Sequence, residues 1–253
     1  MERPDGGARI VYTQGMTTAR RIGIFGGTFD PIHCGHIDLG RAAETALNLT
    51  RVFVIPANVP PHRPQPLASS YHRFAMVSLA VAGRPGWRAS DLELRRDAPS
   101  YTAATLKRFH ERGYTPSELF FVIGADAFAE IEAWKEYPDI LDRTHFAVVS
   151  RTGYPALELR ARLPLLAPRM ARPPVGHLTK LDTLIFLIDA PTADVSSTAV
   201  RERRARGQPI TGLVDLGVQQ HIEQQGLYTS MIPGRRGSDT PPSQAAGRLN
   251  GQS

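Results

Sequence analysis

The stretch "RIGIFGGTFDPIHCGH", Arg21 to His36, decides how the rest of the chain is read. A short apolar run, Ile22 to Phe25, enters two glycines; Asp30-Pro31 then turns the chain toward His33 and His36, three residues apart. An apolar strand that leaves through a glycine turn into a helix is the opening unit of an α/β sheet. Gly26 and Gly27 permit torsions closed to other residues and let a ligand approach the main chain closely. A helix beginning near His33–His36 puts both imidazoles on neighbouring positions of one face. The free N–H groups and positive dipole end of such a helix suit a phosphate. Three readings stand open for the histidines: metal ligands, core filler, or donors to phosphate oxygens. A metal site needs further Cys or His ligands, and no matching cluster occurs elsewhere in the sequence. The spacing is neither G-x-G-x-x-G nor G-x-x-x-x-G-K, so any phosphate is held by a different device.

Outward from this unit, apolar runs alternate with helical patterns. Arg21–Gly26, Arg51–Pro56, Leu119–Gly124, His145–Ser150 and Leu184–Asp189 are near-continuous hydrophobic runs, as in strands covered on both faces. Helical patterns fall at roughly His36–Leu47, His72–Ala82, Tyr101–Arg112, Ala127–Trp134 and Val195–Arg206. The β-α-β-α order predicts an α/β fold, a Rossmann-like doubly wound and mainly parallel sheet with helices on both faces. Ligands of such sheets bind beyond the carboxyl ends of the strands, at the switch in strand order. Tyr154 to Lys180, rich in Pro and Arg, reads partly as loop.

With 253 residues, 42% hydrophobic and 21% charged, the chain has the balance of a globular protein with a real core. Residues 1–20 read as a flexible extension, residues 21–230 as the functional domain, and residues 231–253, rich in Gly, Pro, Ser and Gln, as a disordered tail. Met16, just before the first strand, reads as an alternative start, an expectation that mass spectrometry of the native protein checks. No run approaches the roughly 20 apolar residues of a membrane span, so no membrane partner is expected. The single cysteine, Cys34, excludes an internal disulfide framework and suits a reducing cytoplasm. A net charge of +6 favours anionic partners, nucleotides or nucleic acid. Nothing in the sequence assigns an oligomeric state.

Four further segments carry polar groups where strands end or helices begin. "IPANVPPHRP" (Ile55–Pro64) is a proline-stiffened loop presenting His62 and Arg63. Ser100 and Thr102 precede a helical pattern and read first as a cap. Gly124 and Asp126 follow a strand, with Asp126 a helix cap or an acceptor for ribose hydroxyls; Trp134 reads first as core. "VSSTAVRERRARG" (Val195–Gly207) opens with the hydroxyls Ser196, Ser197 and Thr198, and Arg201 stands one turn in.

In this order the motifs resemble a known family. "GGTFDPIHCGH" is similar to the HxGH signature of the nucleotidyltransferase superfamily, and GGTFDP with it resembles the bacterial nicotinate-nucleotide adenylyltransferases, over roughly Ile22 to Tyr228. The resemblance implies adenylyl transfer from ATP to nicotinate mononucleotide, giving nicotinate adenine dinucleotide and pyrophosphate in NAD biosynthesis. It implies that Gly26, Gly27, Thr28, Phe29, His33, His36, Arg63, Gly124, Asp126, Ser197 and Arg201 bind ATP, with His33, His36 and Arg201 catalytic. It assigns the mononucleotide to Ser100, Tyr101, Thr102 and Trp134, the indole stacking on the nicotinate ring. Mg²⁺ is expected with ATP, and no protein metal ligand is named. Four positions depart from the family pattern: Arg63 stands where PPHK has lysine, Ala104 where a polar residue is common, and Val195 and Val200 where ISSTxIR has isoleucine, which keeps the apolar character.

Two rivals follow from the same residues. An HxGH turn also suits pantetheine-phosphate adenylyltransferases and cytidylyltransferases, against which the "SYT" and Trp134 segments argue. A basic α/β protein can also bind RNA, but many of these arginines cluster in one helix or in the tail, so no nucleic-acid partner is expected.

Overall fold

The computed structural model describes residues 20–60, 64–95, 98–174 and 183–229. The reading of residues 1–19 as an extension, the tail from residue 230 onward, and the assignment of Arg63 to ATP all lie outside the described residues. Described strands are β1 (Ile22–Gly27), β2 (Arg51–Pro56), β3 (Trp87–Ala89), β4 (Leu119–Gly124), β5 (His145–Val149), β6 (Met170–Ala171) and β7 (Ile185–Ile188). The helices are α1 (Cys34–Leu47), α2 (Ser70–Val81), α3 (Thr102–Glu111), α4 (Ala125–Phe128), α5 (Leu159–Arg162), α6 (Ser197–Ala205) and α7 (Leu216–Gln224). All strands pair in parallel in one seven-stranded sheet, ordered β3-β2-β1-β4-β5-β7-β6. Its edges are its shortest strands, which limits the unpaired backbone left open to another chain.

Near-continuous hydrophobic runs are explained by the two faces they serve. Phe120 and Val122 of β4, Ala147 and Val149 of β5, and Phe186 and Ile188 of β7 pack toward α1, α2, α6 and α7. Their neighbours Leu119, Phe121, Ile123, Phe146, Val148, Ile185 and Leu187 pack toward α3, α4 and α5. With both faces covered, alternation along a strand changes the partner and not the polarity.

Strand order reverses between β1 and β4, and the pairing there is partial. β1 pairs with β2 along its whole length, but with β4 only over Ile22–Ile24 against Leu119–Phe121. The carboxyl halves of β1 and β4 lack ladder bonds to each other, which opens a crevice at the place where open α/β sheets bind ligands.

Several elements correct the sequence reading. The helix expected over Ala127–Trp134 is broken: α4 ends at Phe128, a 3₁₀ turn covers Ile131–Ala133, and Trp134 is extended. The break keeps Phe128 and Ile131 fully buried while leaving Trp134 half-buried beside Phe121, so packing overrides helix propensity. β3, β6 and α7 add to the expected set. Of Tyr154–Lys180, the described part is mostly short helix, Ala156–Arg162 and Pro164–Arg169, before β6.

Candidate functional site

α1 begins at Cys34 with His33 as its N-cap. The His33 N–H donates to Nδ1 of His36 at 3.2 Å. A neutral His36 that accepts at Nδ1 carries its proton on Nε2, which makes that nitrogen a donor. His33 lies behind it, 3% exposed, with the two rings 3.7 Å apart between centroids. Burial, with the Arg151 guanidinium adding to it, pushes the His33 pKa down to about 3, so its ring is neutral. Its Nδ1 is buried without a hydrogen-bond partner among the described residues. The α1 terminus is less open than its sequence suggests, because the Cys34 N–H donates to the Leu213 carbonyl at 2.9 Å.

The glycine turn works through close approach. Neither Gly26 nor Gly27 has positive φ; the left-handed residue is Phe29, at φ 51°. A Cβ on Gly27 would stand 2.8 Å from the Phe29 ring, so the turn closes only over a bare main chain. At the end of β4, a Cβ on Gly124 would meet Oδ1 of Asp126 at 2.5 Å and Cδ of Arg151 at 2.8 Å. Gly124 therefore lets an acid from α4 and a cation from the end of β5 stand side by side.

Asp30 and Arg73 hold this turn in place. The buried Asp30 carboxylate accepts from the Leu67 and Ala68 N–H groups and, at 2.7 Å, from the Tyr228 hydroxyl. Burial beside that carboxylate pushes the Tyr228 phenol well up, which keeps it a donor. Arg73 is 1% exposed and donates to the carbonyls of Thr28, Ala57, Asn58 and Ala68. One guanidinium thus ties the turn after β1 to the loop after β2. Arg73 is absent from the sequence-based candidates because its partners are main-chain carbonyls, which leave no residue pattern.

A cavity of about 650 Å³ fills the crevice between β1 and β4. Gly26, Gly27, Thr28, Phe29, His36, Gly124, Asp126 and Ser197 line it, and so do Ser100, Tyr101, Thr102 and Trp134. Two distant pieces of sequence, one expected to meet ATP and the other the mononucleotide, therefore face one space. His33 is outside the lining. So is Arg201, whose Nη1 donates to the Asp30 carbonyl at 2.7 Å and whose Nη2 donates to Thr198 Oγ1 at 3.1 Å. Ser197 donates to the Pro31 carbonyl at 2.9 Å, while Ser196 caps α6 by accepting from the Ala199 N–H.

The cap readings need correction at two places. α3 is capped by Tyr101 without a side-chain bond; the Ser100 hydroxyl instead accepts from the Asn58 N–H at 2.8 Å. Asp126 lies inside the first turn of α4, which Gly124 caps without a side-chain bond. Arg151, Lys135, Glu93 and Thr105 also line the cavity. Lys135 Nζ lies 4.4 Å from the centre of the Tyr101 ring, joining the two arms that carry Tyr101 and Trp134. Among the described residues no group of three or more His, Cys, Asp or Glu is placed to hold a metal ion. None of the described helices is long and apolar enough to cross a membrane.

Known proteins resemble this chain over most of its length. A family model described as cytidylyltransferase-like matches residues 24–203. The nicotinate-nucleotide adenylyltransferase of Salmonella typhimurium is 40% identical over 206 residues, covering 81% of this chain and 97% of that one. Among solved structures, the Plasmodium falciparum nicotinic acid mononucleotide adenylyltransferase complexed with NaAD superposes with a TM-score of 0.63 at 19% identity. That match covers 83% of this chain and 98% of the other, and the same enzyme complexed with APC gives a TM-score of 0.60. At that identity the structural likeness speaks for the fold.

Proposed function

The chain belongs to the nicotinate-nucleotide adenylyltransferase family, and from that membership we infer that it joins nicotinate mononucleotide and ATP into nicotinate adenine dinucleotide, with release of pyrophosphate. The observation that carries this reading is the shared cavity: Gly26–Phe29, His36, Asp126 and Ser197 face the same space as Ser100–Thr102 and Trp134. A two-substrate transfer needs both reactants in one crevice, close and aligned.

In the reaction, a 5′-phosphate oxygen of the mononucleotide attacks the α-phosphorus of ATP in line, forming one P–O bond as the bond to pyrophosphate breaks. No enzyme nucleophile is required, so the protein contributes position and charge stabilisation. We assign Nε2–H of His36 to an oxygen near the breaking bond, where a preorganised donor opposes developing charge. His33, neutral and stacked behind, holds that ring in place. We assign the main chain at Gly26–Thr28 and the Ser197 hydroxyl to the triphosphate. Arg201 reaches it by giving up one of its present polar partners, and Arg63 is assigned to the same phosphates. Asp126 takes the ribose hydroxyls, Thr102 the nicotinate carboxylate and Trp134 the ring, with Gly124 giving the adenosine room.

Mg²⁺ enters this proposal with the triphosphate, neutralising its charge. A cavity whose donors are mostly main chain, hydroxyls and cations suits a metal carried by phosphates and water. We place the reaction in the cytoplasm, a placement supported by the lone cysteine.

The test is direct. Protein mixed with Mg-ATP and either nicotinate or nicotinamide mononucleotide is expected to yield dinucleotide and pyrophosphate in equal amounts. No dinucleotide from either mononucleotide would overturn the reading.

A further inference from the structure

Glu93 is a half-buried acid on the cavity wall, between β3 and α3. A bare carboxylate there is a liability in a site for anionic substrates. Its oxygens, however, are engaged. Thr105, buried on α3, donates its hydroxyl to Oε1 at 2.5 Å, and the Ser100 hydroxyl helps to stabilise the charged form. Burial pushes the Glu93 carboxyl up, while these two hydroxyls and the charge of Arg108 pull the other way. Arg108 itself is fixed by its bond to the Leu92 carbonyl at 2.6 Å.

Ser100 gives this contact its reach. Its oxygen accepts the Asn58 N–H at 2.8 Å, which ties the turn before α3 to the loop after β2. The Ser100 N–H in turn donates to the Val59 carbonyl at 2.9 Å, and Asn58 and Ala57 are held by Arg73, which also holds Thr28. A continuous line of bonds therefore runs from the glycine turn through the loop after β2 to the start of α3, and Glu93 holds α3 one turn further on, through Thr105.

We propose that Glu93 is a positioning residue for the mononucleotide: by accepting the Thr105 hydroxyl it holds the first turn of α3, and with it the Ser100–Thr102 turn bonded to the Ala57–Pro60 loop, in one register, so that the turn meets its ligand preformed. The proposal rests on the adenylyl-transfer reading and adds to it a residue that shapes the second substrate's site without touching the reacting atoms. An unfixed turn would have to order on binding, and that cost falls on the affinity for the mononucleotide.

Glu93→Gln keeps the volume but offers an amide where one hydroxyl must donate. The expected result is a KM for nicotinate mononucleotide raised on the order of tenfold, the scale of a lost charge-assisted bond, with the KM for ATP and kcat changed by no more than about twofold. Thr105→Val should raise the same KM, Thr105→Ser should restore it, and Glu93→Gln with Thr105→Val should be no worse than Glu93→Gln alone, because the two share one bond. Equal losses toward both substrates, or a lowered melting midpoint with unchanged KM, would overturn the proposal. If Glu93→Gln does not fold, Thr105→Val and Thr105→Ser read the same contact. Calorimetric titration with nicotinate mononucleotide alone separates the two inferences. If the wild type binds it and Glu93→Gln binds it about tenfold more weakly, positioning stands even where no dinucleotide forms; equal affinities end the proposal whether or not the enzyme turns over.

Discussion

The two walls of the cavity are built differently. On one side, Gly26 to His36 and the start of α6 form a wall fixed by many bonds, most with a main-chain group on at least one side: Ala57 N–H to the Gly27 carbonyl, Cys34 N–H to Leu213, Ser197 Oγ to Pro31, Arg201 to the Asp30 carbonyl. On the other, Ser100–Thr105 and Glu130–Lys135 come from a turn, a helix start and a broken helix, and side chains hold them: Ser100, Glu93 and Thr105 by hydrogen bonds, Lys135 over Tyr101, Trp134 edge-on to Phe121 at 6.0 Å. The first wall offers what a triphosphate needs, which is amides and imidazole at fixed points. The second offers a flat ring and a shaped turn, which select among organic rings. The first frame is spread over many bonds to the main chain, so that the loss of one leaves the others; the second rests on a few side-chain pairs, each exposed to loss. Substitutions on the first wall should therefore show in turnover when they remove a donor, and on the second in affinity for the mononucleotide.

The largest test removes a donor from the first wall. His36→Ala takes away the Nε2–H, together with the acceptor for the His33 N–H at the start of α1, and kcat is expected to fall on the order of 10²–10³-fold, the scale for one preorganised donor. ATP affinity should change far less. An unchanged kcat with a matching loss of ATP affinity would show that His36 only binds, and the distinction between the walls would lose its sharper half.

A smaller effect is expected across the cavity. Trp134→Ala removes the indole that stands extended from the 3₁₀ turn, and the KM for the mononucleotide should rise on the order of tenfold, as for other lost ring-on-ring contacts. The KM for ATP should stay within about twofold. Were ATP the substrate affected, the ring wall would belong to the adenosine, and the assignment of the two walls would be reversed.

The difference in construction also explains what the sequence made legible. β2 and β4 run over the same residues as the apolar runs that announced them, and α1 begins where the Asp-Pro turn said it should. Those signals are local: apolar runs, glycine pairs, turn residues. α7 had local signals too, with Asp215 as a cap and Val218 and Ile222 one turn apart, so it was readable though unread. β3 and β6 are three and two residues long and exist because β2 and β7 lie beside them, a cause no window of sequence contains. The same holds in the site. Glycine and histidine spacing marked the first wall, whereas Arg73, Glu93, Thr105 and Arg151 matter through partners far along the chain. Trp134 was found through family resemblance, and its helical surroundings misled the reading of its backbone.

The mildest test asks whether the first wall is as redundant as its bonds suggest. Tyr228 sits beyond α7 and donates to the Asp30 carboxylate, which also accepts two main-chain N–H groups from Leu67 and Ala68. Tyr228→Phe deletes one of these donors and leaves the ring in the core. A buried bond to a charged acceptor is worth about 2 kcal/mol, which in a domain of this size lowers the melting midpoint by roughly 4–8 °C. Because Asp30 keeps its amides and Arg201 keeps the Asp30 carbonyl, kcat and both KM values should stay within about twofold of the wild type. A large kinetic loss from this one hydroxyl would mean that the turn after β1 depends on a single side-chain pair, and that the two walls differ in chemistry but not in how they are built.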